Sequence, residues 1–273
     1  MARNNEERSG ARNIDAPAPP PMMDPTTTDQ AFSFVTPTEF VELPSEGRYY
    51  SEGHPLHNKT SVEIKYMTAK DEDILTSRAL LKKGIALDRL LKNVLVDKKV
   101  NPNDLLVGDK NAILVATRIS GYGESYNAQL TCPVCLTNTA HDIDLSELNL
   151  TTGKEAMEEY DVRQEDDQFF VTLPKMKVDV GLRMTTGADE QRMMKSTEKK
   201  KKLNIPETPL TDQFRLIIKS VNKSENIGHV NEVINHMPAT DSKYLRNVYS
   251  KITPNIDMSS EFQCPVCDHE EEV

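Results

Sequence analysis

The tetrapeptide Cys132-Pro133-Val134-Cys135 returns letter for letter as Cys264-Pro265-Val266-Cys267, six residues before the last residue of the sequence. Two intervening residues bring both sulfurs of a pair to one side of a tight turn, and proline fixes the backbone after the first ligand. Tetrahedral zinc takes four such sulfurs, so Cys132, Cys135, Cys264 and Cys267 are expected to hold one structural zinc ion in a closed site. With no open coordination position, that metal would neither activate water nor polarise a substrate. The two pairs stand 128 residues apart (136 through 263), far more than the roughly 15–20 of a compact finger. Closure cost grows only logarithmically with loop length, so ligands from distant parts of one body remain compatible with a single site. Zinc is then expected to staple the C-terminal segment to an internal hairpin. Two other readings compete: thioredoxin-like redox chemistry at each pair, and a site in which His141 or His269 replaces a distant cysteine. Only Asp268 to Val273 follows the second pair, which leaves the expectation that this knuckle has no full returning strand.

Outward from the first knuckle, Tyr126 to Thr131 and Ala140 to Leu145 read as the two strands of a zinc-ribbon-like hairpin. Before it, Ser61 to Met67 alternates with period two, the mark of a half-buried strand. Thr68 stands at an N-cap, with Asp71 and Glu72 in the first turn of a helix expected from Ala69 to Lys82. Ile85, Leu87, Leu90, Leu91, Val94 and Leu95 define a second amphipathic helix, and a third runs from near Asp109 to the stop at Gly121-Tyr122-Gly123. After the hairpin, 169–173 and 177–180 read as strands about Pro174. Thr186 caps a helix with acids at its start and Lys199 to Lys202 at its end, an order that suits the helix dipole. Further helices are expected from Thr211 through Phe214, Ile217, Ile218 and Val221, and from Asp241 through Leu245, Val248 and Ile252 to Pro254. The fold class is therefore α+β: a small helical bundle with short strands and a zinc-ribbon-like β-hairpin joined to the C-terminus. Four parts are expected: a Pro-rich, disordered or extended arm over 1–31, an N-terminal helical part over 32–156 carrying the first knuckle, an acidic connection over 157–168, and a C-terminal α+β part over 169–273.

The 273 residues carry 33 basic and 43 acidic side chains, a net charge of −10 that repels nucleic acid and anionic lipid at long range. The longest uninterrupted apolar run, Ala112 to Ala116, is five residues, far short of the roughly 20 of a membrane-spanning helix. No apolar stretch follows the first charges, so a reducing cytoplasm is expected, where cysteine pairs bind metal rather than cross-link. Gly121 to Ser125 lacks the Lys-Ser/Thr of a phosphate loop and the central Ser of a nucleophile elbow, and reads as a helix-to-strand turn. His54 and His57 read as turn or surface histidines, and Met193-Met194 as core packing within a helix. No acid–base pair or Ser/His/Asp set emerges, so no enzyme is expected.

Glu42-Leu-Pro-Ser-Glu-Gly-Arg-Tyr-Tyr50, His54-Pro-Leu-His57, Glu63-Ile-Lys-Tyr-Met-Thr-Ala-Lys-Asp-Glu-Asp-Ile-Leu75, Asp109-Lys-Asn-Ala-Ile113 and Cys132-Pro-Val-Cys135 form a succession. Leu173-Pro174, Leu182-Arg-Met-Thr-Thr-Gly-Ala-Asp-Glu190 and Cys264-Pro-Val-Cys267 continue it. The whole resembles the baseplate hub or hub-assembly proteins of T4-like contractile-tailed bacteriophages. That resemblance implies a non-enzymatic component of the central hub that works by contacts with other baseplate or tail proteins, and with copies of itself by symmetry. It implies assembly in the host cytoplasm and either a place in the virion tail baseplate or a role as an assembly factor, while the charge and the short apolar runs argue against a nucleic-acid or membrane partner. The alternative is a zinc-ribbon regulator that contacts nucleic acid or polymerase, favoured by the knuckle and by Lys199 to Lys202 but opposed by the charge.

Overall fold

Helix propensity, capping and β-branched runs divide this chain into short elements that close over a shared apolar interior. The computed structural model describes residues 36–165 and 168–273, so the arm expected over 1–31 lies outside the described residues. Strand β1 (Thr38–Glu42) pairs antiparallel with β2 (Ser61–Lys65), Thr38 opposite Lys65. Helix α1 (Ala69–Thr76) starts as expected at Thr68, whose N–H and hydroxyl both donate to the Asp71 carboxylate at 3.0 and 2.7 Å. The expected single helix is two, because Ser77 adopts an extended backbone (ψ 104°) that ends α1 and begins α2 (Arg78–Lys82). Next come α3 (Ala86–Val94) and α4 (Val107–Tyr122), which Gly123 ends with a positive φ of 86°.

The hairpin β3 (Ser125–Thr131) and β4 (Asn138–Asp144) follows, then β5 (Asn149–Thr151) and α5 (Lys154–Glu159). Strands β6 (Arg163–Glu165), β7 (Gln168–Thr172) and β8 (Asp179–Leu182) lead into α6 (Gly187–Lys202), α7 (Pro209–Ile217) and β9 (Ile218–Val221). These four strands form one antiparallel sheet in the order β6-β7-β8-β9. The expected helix through Val221 therefore stops at Ile217. Its β-branched tail instead hydrogen-bonds along β8, with Leu182 opposite Ile218. The chain closes with α8 (Ile227–His236), α9 (Ala239–Ile252), β10 (Asn255–Asp257), β11 (Glu261–Gln263) and β12 (Glu270–Glu272). Helices with short antiparallel strands make the fold α+β.

Leu43, Ile64, Leu91, Leu105 and Ile113 from before the hairpin share one apolar cluster with Phe169, Leu173, Leu182, Ile217, Leu245 and Ile252 from after it. A polar lock fixes the turn after β1 to the start of α4. The fully buried Asp109 carboxylate accepts from Ser45 N–H (2.9 Å), Ser45 Oγ (2.6 Å) and Tyr50 Oη (2.7 Å). Tyr50 Oη in turn accepts from Leu106 N–H at 3.1 Å. Burial pushes the Asp109 carboxyl up, against the hydrogen bonds that pull it down. His54 stacks on Tyr50 with ring centroids 4.3 Å apart, while the His57 ring bonds the Tyr50 carbonyl at 2.6 Å, so both serve this turn. Met193-Met194 departs from the expected core packing: Met194 is half exposed and its methyl lies over Gly84, with Met193 half-buried.

Two features place the knuckles. β5 follows directly on the first hairpin and β10 directly precedes the second, and they pair antiparallel, Leu150 opposite Ile256. This clasp sits on α4, where Gly108 is so close that a Cβ would stand 1.8 Å from the Pro254 carbonyl oxygen. Asn111 Nδ2 donates to Asn255 Oδ1 at 3.2 Å across the same junction.

Candidate metal centre

Each knuckle is built by its own backbone. In the first, Cys132 N–H donates to Thr137 O (3.0 Å) and Leu136 N–H to Cys132 O (2.9 Å), with Leu136 in the left-handed region at φ 59°. In the second, Cys264 N–H donates to His269 O (2.9 Å) and Asp268 N–H to Cys264 O (3.0 Å), with Asp268 at φ 55°. The expectation that the second knuckle lacks a full return is corrected by β12, whose three residues pair antiparallel with β11, Gln263 opposite Glu270. The two turn bonds at Cys264 on one side and the reciprocal bonds between Ser260 and Val273, 2.9 Å each, on the other bracket this three-residue return.

The clasp at their roots brings the two knuckles face to face. All four sulfurs lie within 4.8 Å of one another, and Cys132–Cys267 and Cys135–Cys264 are each 3.6 Å apart. A tetrahedral ion with metal–sulfur bonds of about 2.3 Å has sulfur–sulfur edges of about 3.8 Å, whereas a disulfide requires about 2.05 Å. The donor set and its spacing therefore fit a four-sulfur tetrahedron, and the four cysteines could hold a metal ion such as zinc. Cys132 and Cys264 are fully buried over Phe262 and Leu130, Cys135 is partly covered and Cys267 is exposed.

The thiols differ in acidity. The Thr137 hydroxyl and N–H draw the Cys135 thiol down to about 6. At Cys267 the His269 N–H also favours the thiolate, but burial and hydrogen bonds with Cys135, Cys132 and Cys264 push that thiol up to about 12. Four sulfurs this close cannot all carry charge without a cation among them.

The histidine alternatives are not what the geometry assembles. His141 Nε2 bonds Ser260 Oγ at 3.0 Å and its ring meets Phe262 edge-on at 5.7 Å, so it ties the first hairpin to the second. His269 stands 3.6 Å from Glu271. A thioredoxin-like arrangement needs its Cys pair at the start of a helix, and both pairs here sit between antiparallel strands.

One relative of the knuckle escaped sequence reasoning. Between β7 and β8, Leu173 N–H donates to Val178 O and Lys177 N–H to Leu173 O, both at 2.9 Å, and Lys177 has φ 56°. This is the backbone of the two Cys turns, with Leu173-Pro174-Lys175-Met176 where they have Cys-Pro-Val-Cys. In place of sulfurs, the fully buried Asp241 of α9 accepts from Lys175 N–H (2.9 Å) and Met176 N–H (2.8 Å). The signal was available as Pro one residue after an apolar residue and two before another, but without Cys it resembles any strand–turn–strand.

Elsewhere, Lys200 pairs with Asp212 and Lys201 approaches Glu207 at 3.5 Å, so part of the lysine run at the end of α6 is neutralised within the chain. No helix among the described residues is long and apolar enough to cross a membrane. Neither the curated proteins nor the solved structures yield a match. A family model described as T4 bacteriophage base plate protein matches residues 37–273, which takes in both knuckles and the clasp between them. The chain belongs to the T4 bacteriophage base plate protein family.

Proposed function

We propose that this chain is a structural or assembly component of the baseplate hub, that it acts through contacts with other baseplate or tail proteins, and that a zinc ion on Cys132, Cys135, Cys264 and Cys267 staples it. The convergence of four sulfurs from two distant hairpins carries the zinc reading. The same observation supports a non-catalytic role, since four protein ligands fill a tetrahedral ion and leave no position for water or substrate. Succession of motifs along the chain supports the hub, and family membership supports a place in the virion tail after assembly in the host cytoplasm. A nucleic-acid ribbon is disfavoured because the strands around the knuckles, 124–147 and 257–273, contain neither Lys nor Arg.

Metal analysis of purified chain tests the staple, with one zinc per chain expected and its loss expected in Cys264→Ser. Stoichiometric zinc in that variant, or none in the parent, refutes it. Locating the chain in baseplates, or in their assembly intermediates, by immunogold labelling tests the hub role, and its absence from both refutes that.

A further inference from the structure

The charge of this protein is unevenly placed. Residues 124–147 and 257–273, the two hairpins and their roots, hold ten carboxylates and no Lys or Arg. With 33 basic and 43 acidic residues in all, the rest of the chain carries 33 of each sign, so the whole net charge of −10 resides in this lobe. All ten carboxylates are exposed. At the far end of the lobe, on the two metal-binding turns, the charge gives way to apolar side chains: Val134 is 65% exposed, Leu136 75% and Val266 64%. Pro133 and Pro265 beside them are exposed too. At the position of Leu136 the second knuckle has Asp268 and the cysteine-free turn has Lys177, so the turn itself does not ask for an apolar residue there.

An apolar tip on a uniformly acidic stalk has one kind of complement. We propose that the knuckle end is a plug that docks in an apolar socket rimmed by Lys and Arg on a different baseplate protein. Steering by opposite charge speeds encounter and rejects acidic competitors, while burial of the tip supplies affinity. A second copy of this chain fits poorly: outside the hairpins its sequence carries 33 charges of each sign, and Lys200 and Lys201 of its lysine run face Asp212 and Glu207. Nucleic acid carries the wrong sign. This inference rests on the reading of the chain as a baseplate component.

The test uses the full chain. A photo-cross-linking benzoylphenylalanine replaces Val134, and baseplates are isolated from infected cells after irradiation. The expected product is a cross-link to one other baseplate protein, at an apolar residue with Lys or Arg around it. Cross-links to a second copy of the chain or to nucleic acid, or none in baseplates that contain the chain, overturn the proposal. In parallel, Val134→Ser/Val266→Ser and Glu270→Gln/Glu271→Gln/Glu272→Gln chains should keep parental zinc content and melting temperature while incorporation into baseplates falls roughly tenfold or more. Incorporation at the parental level in both sets overturns it. Absence of the parent chain from baseplates and their intermediates refutes the underlying reading instead, and the two failures are told apart by that control.

Discussion

Asp241→Ala removes the carboxylate that closes the cysteine-free turn between β7 and β8. The side chain is fully buried and accepts two backbone N–H groups, those of Lys175 and Met176, from 66 and 65 residues away. Truncation removes both bonds, and a hydrogen bond to a charged group contributes about 1.5–3 kcal/mol. Relief from holding a buried carboxylate out of water offsets part of that. A net loss of about 3 kcal/mol follows, a large share of the roughly 5–15 kcal/mol that holds a typical domain together. Asp241→Asn retains one acceptor oxygen and should lose about half as much. Urea unfolding of the purified chain measures the totals, and amide exchange at Lys175 and Met176 localises them. A loss below about 1 kcal/mol, with those two amides as protected as in the parent, would show that the turn stands without its carboxylate.

Three further outcomes are expected. Burial alone would raise the Asp189 carboxyl, but Arg183, bonded at 2.8 and 2.9 Å, and the Thr186 N–H hold it below the ordinary value. Its stabilising contribution is therefore present above the unfolded pKa near 4 and is lost as pH falls through the lower folded value, so an acid titration of Asp189→Asn should show a shallower limb below about pH 4 than the parent. Gly108→Ala forces a methyl against the Pro254 carbonyl, and calorimetry should register about 2–3 kcal/mol of destabilisation; an unchanged melt would mean that β10 is not pressed on α4. Removing zinc with a strong chelator should raise amide exchange throughout β3, β4, β11 and β12 while β7 and β8 stay protected, since little more than Phe262 and Leu130 backs the sulfurs. Uniform loss of protection in both regions would contradict that separation.

The knuckle residues were legible because Cys pairs at fixed spacing have few other uses, and the caps at Thr68 and Thr186 because a hydroxyl three residues before a carboxylate has a specific local partner. What stayed hidden depends on partners distant in sequence. β5 and β10 are three residues each, too short for a periodic signal, and exist because they meet each other. Ile218 to Val221 reads as helix by spacing and becomes strand because β8 offers a ladder. Ser77 interrupts a helix that its composition permits. The return after Cys267 is three residues, too short to read as a strand on length alone, and it forms because bonds at Cys264 and between Ser260 and Val273 hold both its ends.

The pairing of Leu150 with Ile256 has a bearing on the order in which the molecule matures. Free in solution, the two sulfur pairs would behave as independent, weak chelators. Joined at their roots by β5 and β10, each meets the other at an effective concentration fixed by the folded scaffold. Tight capture of an ion by all four sulfurs would therefore require that β5 and β10 have already paired, which ties metal affinity to closure of the apolar interior on both sides of the clasp.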